Sequence, residues 1–97
     1  MENKIKAYIG FAIKSGKIVF GYDNLIVAKK NPELVLICQS QNDKVTNKVI
    51  NFCELRKIPC VKLNFVLGDL IGRNCKVIGI MDKNLSVATK KELKMEN

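Results

Sequence analysis

Leu34-Val35-Leu36-Ile37-Cys38 lies between Pro32 and the polar quartet Gln39-Ser40-Gln41-Asn42. Five consecutive apolar residues are too few for a buried helix, and polar residues bound the run. It is read as a central strand covered on both faces. Upstream, Ile5, Tyr8, Ile9, Ala12 and Ile13 recur at three- and four-residue spacing, which predicts an amphipathic helix from about Lys4 to Lys14 that ends at Ser15-Gly16. Lys17-Ile18-Val19-Phe20 follows as a short strand or turn. A second helix is predicted from about Tyr22 to Lys30, stopping before Pro32 because the residue preceding a proline is pushed out of the helical region.

Downstream, Asp43 is expected to cap a third helix reaching Lys57, with Val45, Val49, Ile50, Phe52 and Cys53 turned inward and Pro59 marking its end. Cys60 to Leu63 reads as a second central strand, Val66 to Ile71 as a short helix closed by Gly72, and Lys76 to Met81 as another apolar strand. Leu85 to Met95 carries a weaker helical pattern. Strands that alternate with helices imply a three-layer α/β/α sandwich around a largely parallel, mixed central sheet of about four strands. No repeat, linker or low-complexity tract interrupts the order.

The length of 97 residues is that of a single domain with one modest core, taken as residues 1–97. Lys and Arg number 17 against 9 Asp and Glu, a net charge of +8. The cations are spread along the chain rather than gathered in a tail, so a folded basic surface is expected, of the kind that draws nucleic acid by counterion release. Cys38, Cys53, Cys60 and Cys75 include no CxxC pair, and there is no histidine; zinc is not expected, nor any cofactor. Three of the cysteines sit among apolar neighbours, as free thiols do in a reducing compartment. The first apolar stretch, Ala7 to Ile13, is interrupted by Gly10 and flanked by Lys6 and Lys14, unlike a signal peptide. No run approaches membrane-spanning length, so a cytoplasmic protein without membrane contact is expected.

Catalysis finds little support. Without histidine the commonest general base is missing, no Ser or Cys stands in a nucleophile-elbow context, and the glycines match neither a phosphate-loop nor a dinucleotide pattern. Asp69 and Asp82 each stand beside a turn or a strand end, where a solvated carboxylate is ordinary. Gly21-Tyr22-Asp23-Asn24 carries more information. It opens a helix, whose end presents unpaired N–H groups to an anion while Asp and Asn side chains can read base edges. Asp23 or Asn24 can equally cap that helix, and Tyr22 can stack on a base or pack on the preceding turn.

Gly16-Lys17 followed by Gly21, the strand Leu34 to Cys38, Cys53-Glu54 with Ile58-Pro59 beyond it, and Leu67-Gly68-Asp69-Leu70-Ile71-Gly72 together resemble the ribosomal-protein family of kink-turn RNA binders, the L-seven-Ae and L-thirty-e type. The resemblance covers nearly the whole chain and is closest to the small bacterial members. It implies RNA held by the start of the second helix, in a pattern similar to Gly-x-Asn-Glu-x-x-Lys, and by the loop after the LGxxxG helix. By position the family's Gly falls on Gly21, its Asn on Asp23, its Glu on Asn24 and its Lys on Val27. Amide and carboxylate are exchanged and one phosphate contact is absent, with Lys14, Lys17 and Lys30 as candidates to replace it. Arg73, Asn74, Cys75 and Lys76 occupy the second loop.

The expectation is a non-catalytic, monomeric RNA-binding protein of the translation apparatus, with structured RNA and the ribosome as partners. The alternative is a ribosome-associated interaction module without RNA recognition of its own. The same architecture occurs beside knotted RNA methyltransferases, but nothing here continues into a catalytic domain.

Overall fold

The computed structural model describes residues 2–67 and 75–95. Its elements follow as α1 (Glu2–Lys14), β1 (Ile18–Phe20), α2 (Tyr22–Val27), β2 (Leu34–Ile37), α3 (Asp43–Arg56), β3 (Cys60–Lys62), β4 (Val77–Ile80) and α4 (Lys83–Glu92). The sheet order is β1-β4-β2-β3. The strand Leu34–Ile37 is fully buried along its length, as is Val77–Ile80 beside it.

The three layers and the mixed sheet agree with the sequence reading, and the pairing refines it. β2 pairs β3 in parallel, while β4 pairs both β1 and β2 antiparallel. β1, β2 and β3 therefore run in one direction, as the alternation of strands and helices requires. β4 runs the other way and inserts between β1 and β2, so only one of the three neighbouring pairs is parallel, and "largely parallel" holds for strand direction but not for pairing.

Pleating sorts the core into two halves. Leu34, Leu36, Ile78 and Ile80 face one side, where Ile5 and Ile9 of α1 and Leu85 of α4 cover them. Val35, Ile37 and Val77 face the other side and pack with Leu25 of α2 and Val49 and Cys53 of α3. The Cys53 thiol hydrogen-bonds that of Cys60 on β3, which lowers the Cys53 pKa and, together with burial, raises that of Cys60.

Helix boundaries show where local chemistry was misread. α2 ends at Val27 rather than Lys30, because Ala28 turns to extended backbone (φ −63°, ψ 136°) and Pro32 descends to pack at Gly79. α3 is capped by Asn42, not Asp43: the Asn42 side chain accepts from the Val45 N–H at 2.8 Å. α3 closes on Lys57 in the left-handed region (φ 58°). α4 starts earlier than its weak pattern suggested, since Asp82 accepts from the Leu85 N–H at 2.9 Å. That bond makes Asp82 a structural cap rather than half of a carboxylate pair. Of the predicted helix Val66 to Ile71, Leu67 is buried, and its N–H donates to Cys38 Sγ at 3.2 Å. Val66 is half-buried, and residues 68–72, with Gly68, Asp69 and the closing Gly72, lie outside the described residues.

Candidate nucleic-acid interface

Because three strands share one direction, the sheet has two chemically different ends. The β1–β4 ladder is bracketed by two backbone bonds, Gly21 N–H to Val77 C=O at 2.8 Å and Met81 N–H to Lys17 C=O at 2.9 Å. The first marks the upper pole, where β1, β2 and β3 end and β4 begins. The second marks the lower pole.

At the upper pole Phe20, Gly21, Tyr22, Gln41, Cys75, Lys76 and Val77 line an open groove of about 540 Å³. Gly21 shapes its wall. At φ 86° and ψ 152° it occupies backbone space that is essentially reserved for glycine, and it is the N-cap position of α2, with its carbonyl accepting the Leu25 N–H at 3.2 Å. No side chain caps this helix, so the capping expected of Asp23 or Asn24 does not occur. Asn24 instead donates from Nδ2 to the Phe20 carbonyl at 2.7 Å, fastening the first turn of α2 to the end of β1. Asp23 is exposed in that same turn. With six residues, α2 contributes only a short helix dipole, so the groove and its rim carry more of the chemistry than the helix end does.

Tyr22 is partly buried against the core cluster of α2 and α3. Its ring meets Phe52 of α3 edge-on, with centroids 6.3 Å apart at 82°, which fixes the ring at the groove edge. The Cys75 thiol donates to the Val77 carbonyl at 3.1 Å and is thereby engaged with backbone, while Lys76 is exposed on the rim. Gln41 enters from the loop after β2. Its carbonyl accepts from Lys62 Nζ at 3.4 Å, and its Oε1 accepts the Asn42 N–H at 3.0 Å.

Beneath the groove, Gly79 lets α2 approach the sheet. A Cβ there would stand 2.7 Å from Leu25 Cδ2 and 3.0 Å from Pro32 Cγ.

Of the residues singled out in the sequence, Gly21, Tyr22, Cys75 and Lys76 are thus brought together, with Asp23 and Asn24 on the adjoining turn. Arg73 and Asn74 lie outside the described residues. Lys17 and Lys30 belong elsewhere: both line a lower-pole concavity with Met81 and Lys83, and Lys14 closes α1 shortly before Lys17. The substitutes proposed for the missing phosphate contact at Val27 are therefore not beside the groove.

Phe20, Gln41, Val77 and Gly79 were not anticipated. Gln41 and Phe20 were nonetheless findable, since ligands of open α/β sheets gather outside the carboxyl ends of the strands, where both stand.

No curated protein matches the chain. Among solved structures, a protein with unknown function from Bacillus halodurans superposes with a TM-score of 0.83 at 20% identity, over 93% of this chain and 96% of that one. This likeness establishes the fold. Among the described residues no helix is long and apolar enough to cross a membrane. A family model matches residues 3–91, and the chain belongs to the ribosomal protein L7Ae/L30e/S12e/Gadd45 family, whose membership implies a non-catalytic, RNA-binding role related to the ribosome.

Proposed function

We propose that this protein is a cytoplasmic RNA-binding component of the translation apparatus that recognises a kink-turn or related structured RNA at the upper-pole groove. One observation carries the reading. The start of α2 and the segment Cys75-Lys76, far apart in sequence and both pointed to by the family resemblance, line one groove.

Its chemistry suits an unstacked nucleotide. Phe20 and Val77 give apolar surface, the fixed Tyr22 ring gives a stacking edge, Gln41 gives an amide, and Lys76 gives a cation for phosphate. Asp23 and Asn24 on the adjoining turn supply acceptors for base edges.

The test is a binding titration of a kink-turn RNA across salt. With roughly four to six phosphates contacted, log K against log salt should slope at roughly −3 to −5. Absent binding, or binding indifferent to salt, refutes the reading.

One observation favours the interaction-module alternative. Val27, where the family carries lysine, is 74% exposed, and Ile26 beside it is 39% exposed, leaving an apolar edge on α2. A ribosomal partner protein that binds this edge of a chain that holds no kink-turn RNA would decide for that alternative.

A further inference from the structure

The lower pole holds cations that the groove does not use. Two adjoining concavities of about 300 and 400 Å³ share Asn31 and Glu33. Their lining includes Lys17, Lys30, Arg56, Lys57, Lys83 and Lys90, drawn from α3, α4 and the loops before β1, β2 and β3, against the carboxylate of Glu33. Over the whole chain basic residues outnumber acidic ones 17 to 9, so six against Glu33 and the Asp82 that pairs with Lys17 is a local concentration.

Part of the patch is set in advance. The Arg56 guanidinium lies 4.7 Å over the Phe52 ring and donates to Asn31 Oδ1 at 3.2 Å, which reduces the ordering cost of a contact. Lys17, 59% exposed, reaches Asp82 at 3.8 Å, a distance that leaves its charge open to a stronger anion. Pro32, Pro59, Ile58 and Met81 are the apolar members of the lining, and none is aromatic, whereas the core of a protein interface is enriched in aromatic residues. A phosphate backbone asks for cations and hydrogen-bond donors, which this surface supplies.

We propose that the lower pole is a second RNA-contacting surface, which binds the sugar–phosphate backbone of a segment separate from the one in the groove, so that one molecule bridges two RNA segments. β1 separates Lys17 from Gly21 by about 13 Å at roughly 3.3 Å per residue, and the two concave regions open at opposite ends of the sheet. The bridging of two segments rests on the groove reading; phosphate binding at the lower pole stands by itself.

The test uses the full chain, a kink-turn RNA and a short blunt RNA duplex without a kink-turn. Two sets of substitutions are compared, Lys83→Glu with Lys90→Gln at the lower pole and Tyr22→Ala with Lys76→Ala at the groove, with Lys83→Glu alone held in reserve should the first set melt early. The lower-pole variant should lose about tenfold or more in duplex affinity at low salt, with a salt slope shallower by about two units, and keep its kink-turn affinity within about twofold once the duplex competes for the lower pole. Parent and variant should also differ in stoichiometry, the parent alone holding a duplex and a kink-turn together.

If the lower-pole variant binds duplex like the parent, or if polyglutamate displaces duplex as readily as RNA does, the proposal falls while the groove reading stands. If the lower-pole variant loses duplex and the groove variant loses nothing, phosphate binding at the lower pole holds, and the groove reading fails together with the bridging.

Discussion

The two poles of the sheet differ in what makes them. The upper groove depends on backbone: a glycine in a conformation closed to other residues, an amide tying α2 to the end of β1, and a bare Gly79 that lets the helix sit close. The lower pole depends on side chains, cations that arrive from several elements and are mostly exposed. A surface built by backbone fixes shape and can discriminate among RNAs, whereas one built by exposed charge attracts phosphate with little regard to sequence. Backbone substitutions should therefore damage the first and spare the second.

Gly21→Ala should have the largest effect. Space for a methyl group exists, with nothing within 4 Å of its ideal position, so the cost comes from the backbone conformation alone. A loss of up to about 3 kcal/mol in unfolding free energy is expected. Kink-turn affinity should fall with it, while duplex binding at the lower pole stays near the parent's. A variant as stable as the parent would mean that the turn into α2 can relax, and that the groove is less constrained than its geometry suggests.

Gly79→Ala comes next. The added methyl meets the end of Leu25, a fully buried side chain, and the ring of Pro32, so α2 must lift or Leu25 must change rotamer. Overpacking of this kind costs about 1–2 kcal/mol. Chemical shifts of Tyr22 and Asn24 should move although neither is touched, and those of Lys83, whose concavity Pro32 does not line, should not.

Asn24→Asp should cost less, about 1 kcal/mol, by replacing the donor to the Phe20 carbonyl with an acceptor. Kink-turn affinity should drop more than stability does if the groove reading holds, because a second carboxylate then adjoins the exposed Asp23. An unchanged melting temperature would show that the 2.7 Å bond is dispensable.

These residues also show what could be read from the chain. The strand Leu34 to Cys38 was legible because burial on both faces leaves an uninterrupted apolar run, and the helices α1 and α3 because their inward positions repeat. Gly21 and Tyr22 were legible as a polar, glycine-led break before an apolar run. Long-range pairing was not: nothing in Val77-Ile78-Gly79-Ile80 says that this strand inserts antiparallel between β1 and β2, since an apolar strand reads alike in either direction. For the same reason Lys17, one short strand away from Gly21, seemed to belong to its site. Three extended residues carry it to the other end of the sheet. Gly79 was silent too, because the need for a missing side chain lies in Leu25 and Pro32, remote in sequence.

The smallest effect should come from Val27→Lys, which tests how far the upper pole extends along α2. Val27 is 74% exposed in the last turn of the helix, so a lysine fits without burial or strain and its charge lies favourably near the helix C-terminus. Stability should change by less than about 0.5 kcal/mol. If this edge faces RNA, the lysine adds one phosphate contact and steepens the salt slope for kink-turn RNA by about 0.7 to 0.9. The duplex slope should stay where it is, since Val27 lines neither lower concavity. An equal steepening for both RNAs would mean that the gain is only general charge, and the distinction between a shaped pole and a charged one would lose its force on this side of the molecule. No steepening for either would leave the apolar edge of Ile26 and Val27 turned away from RNA, where a protein partner is the better occupant.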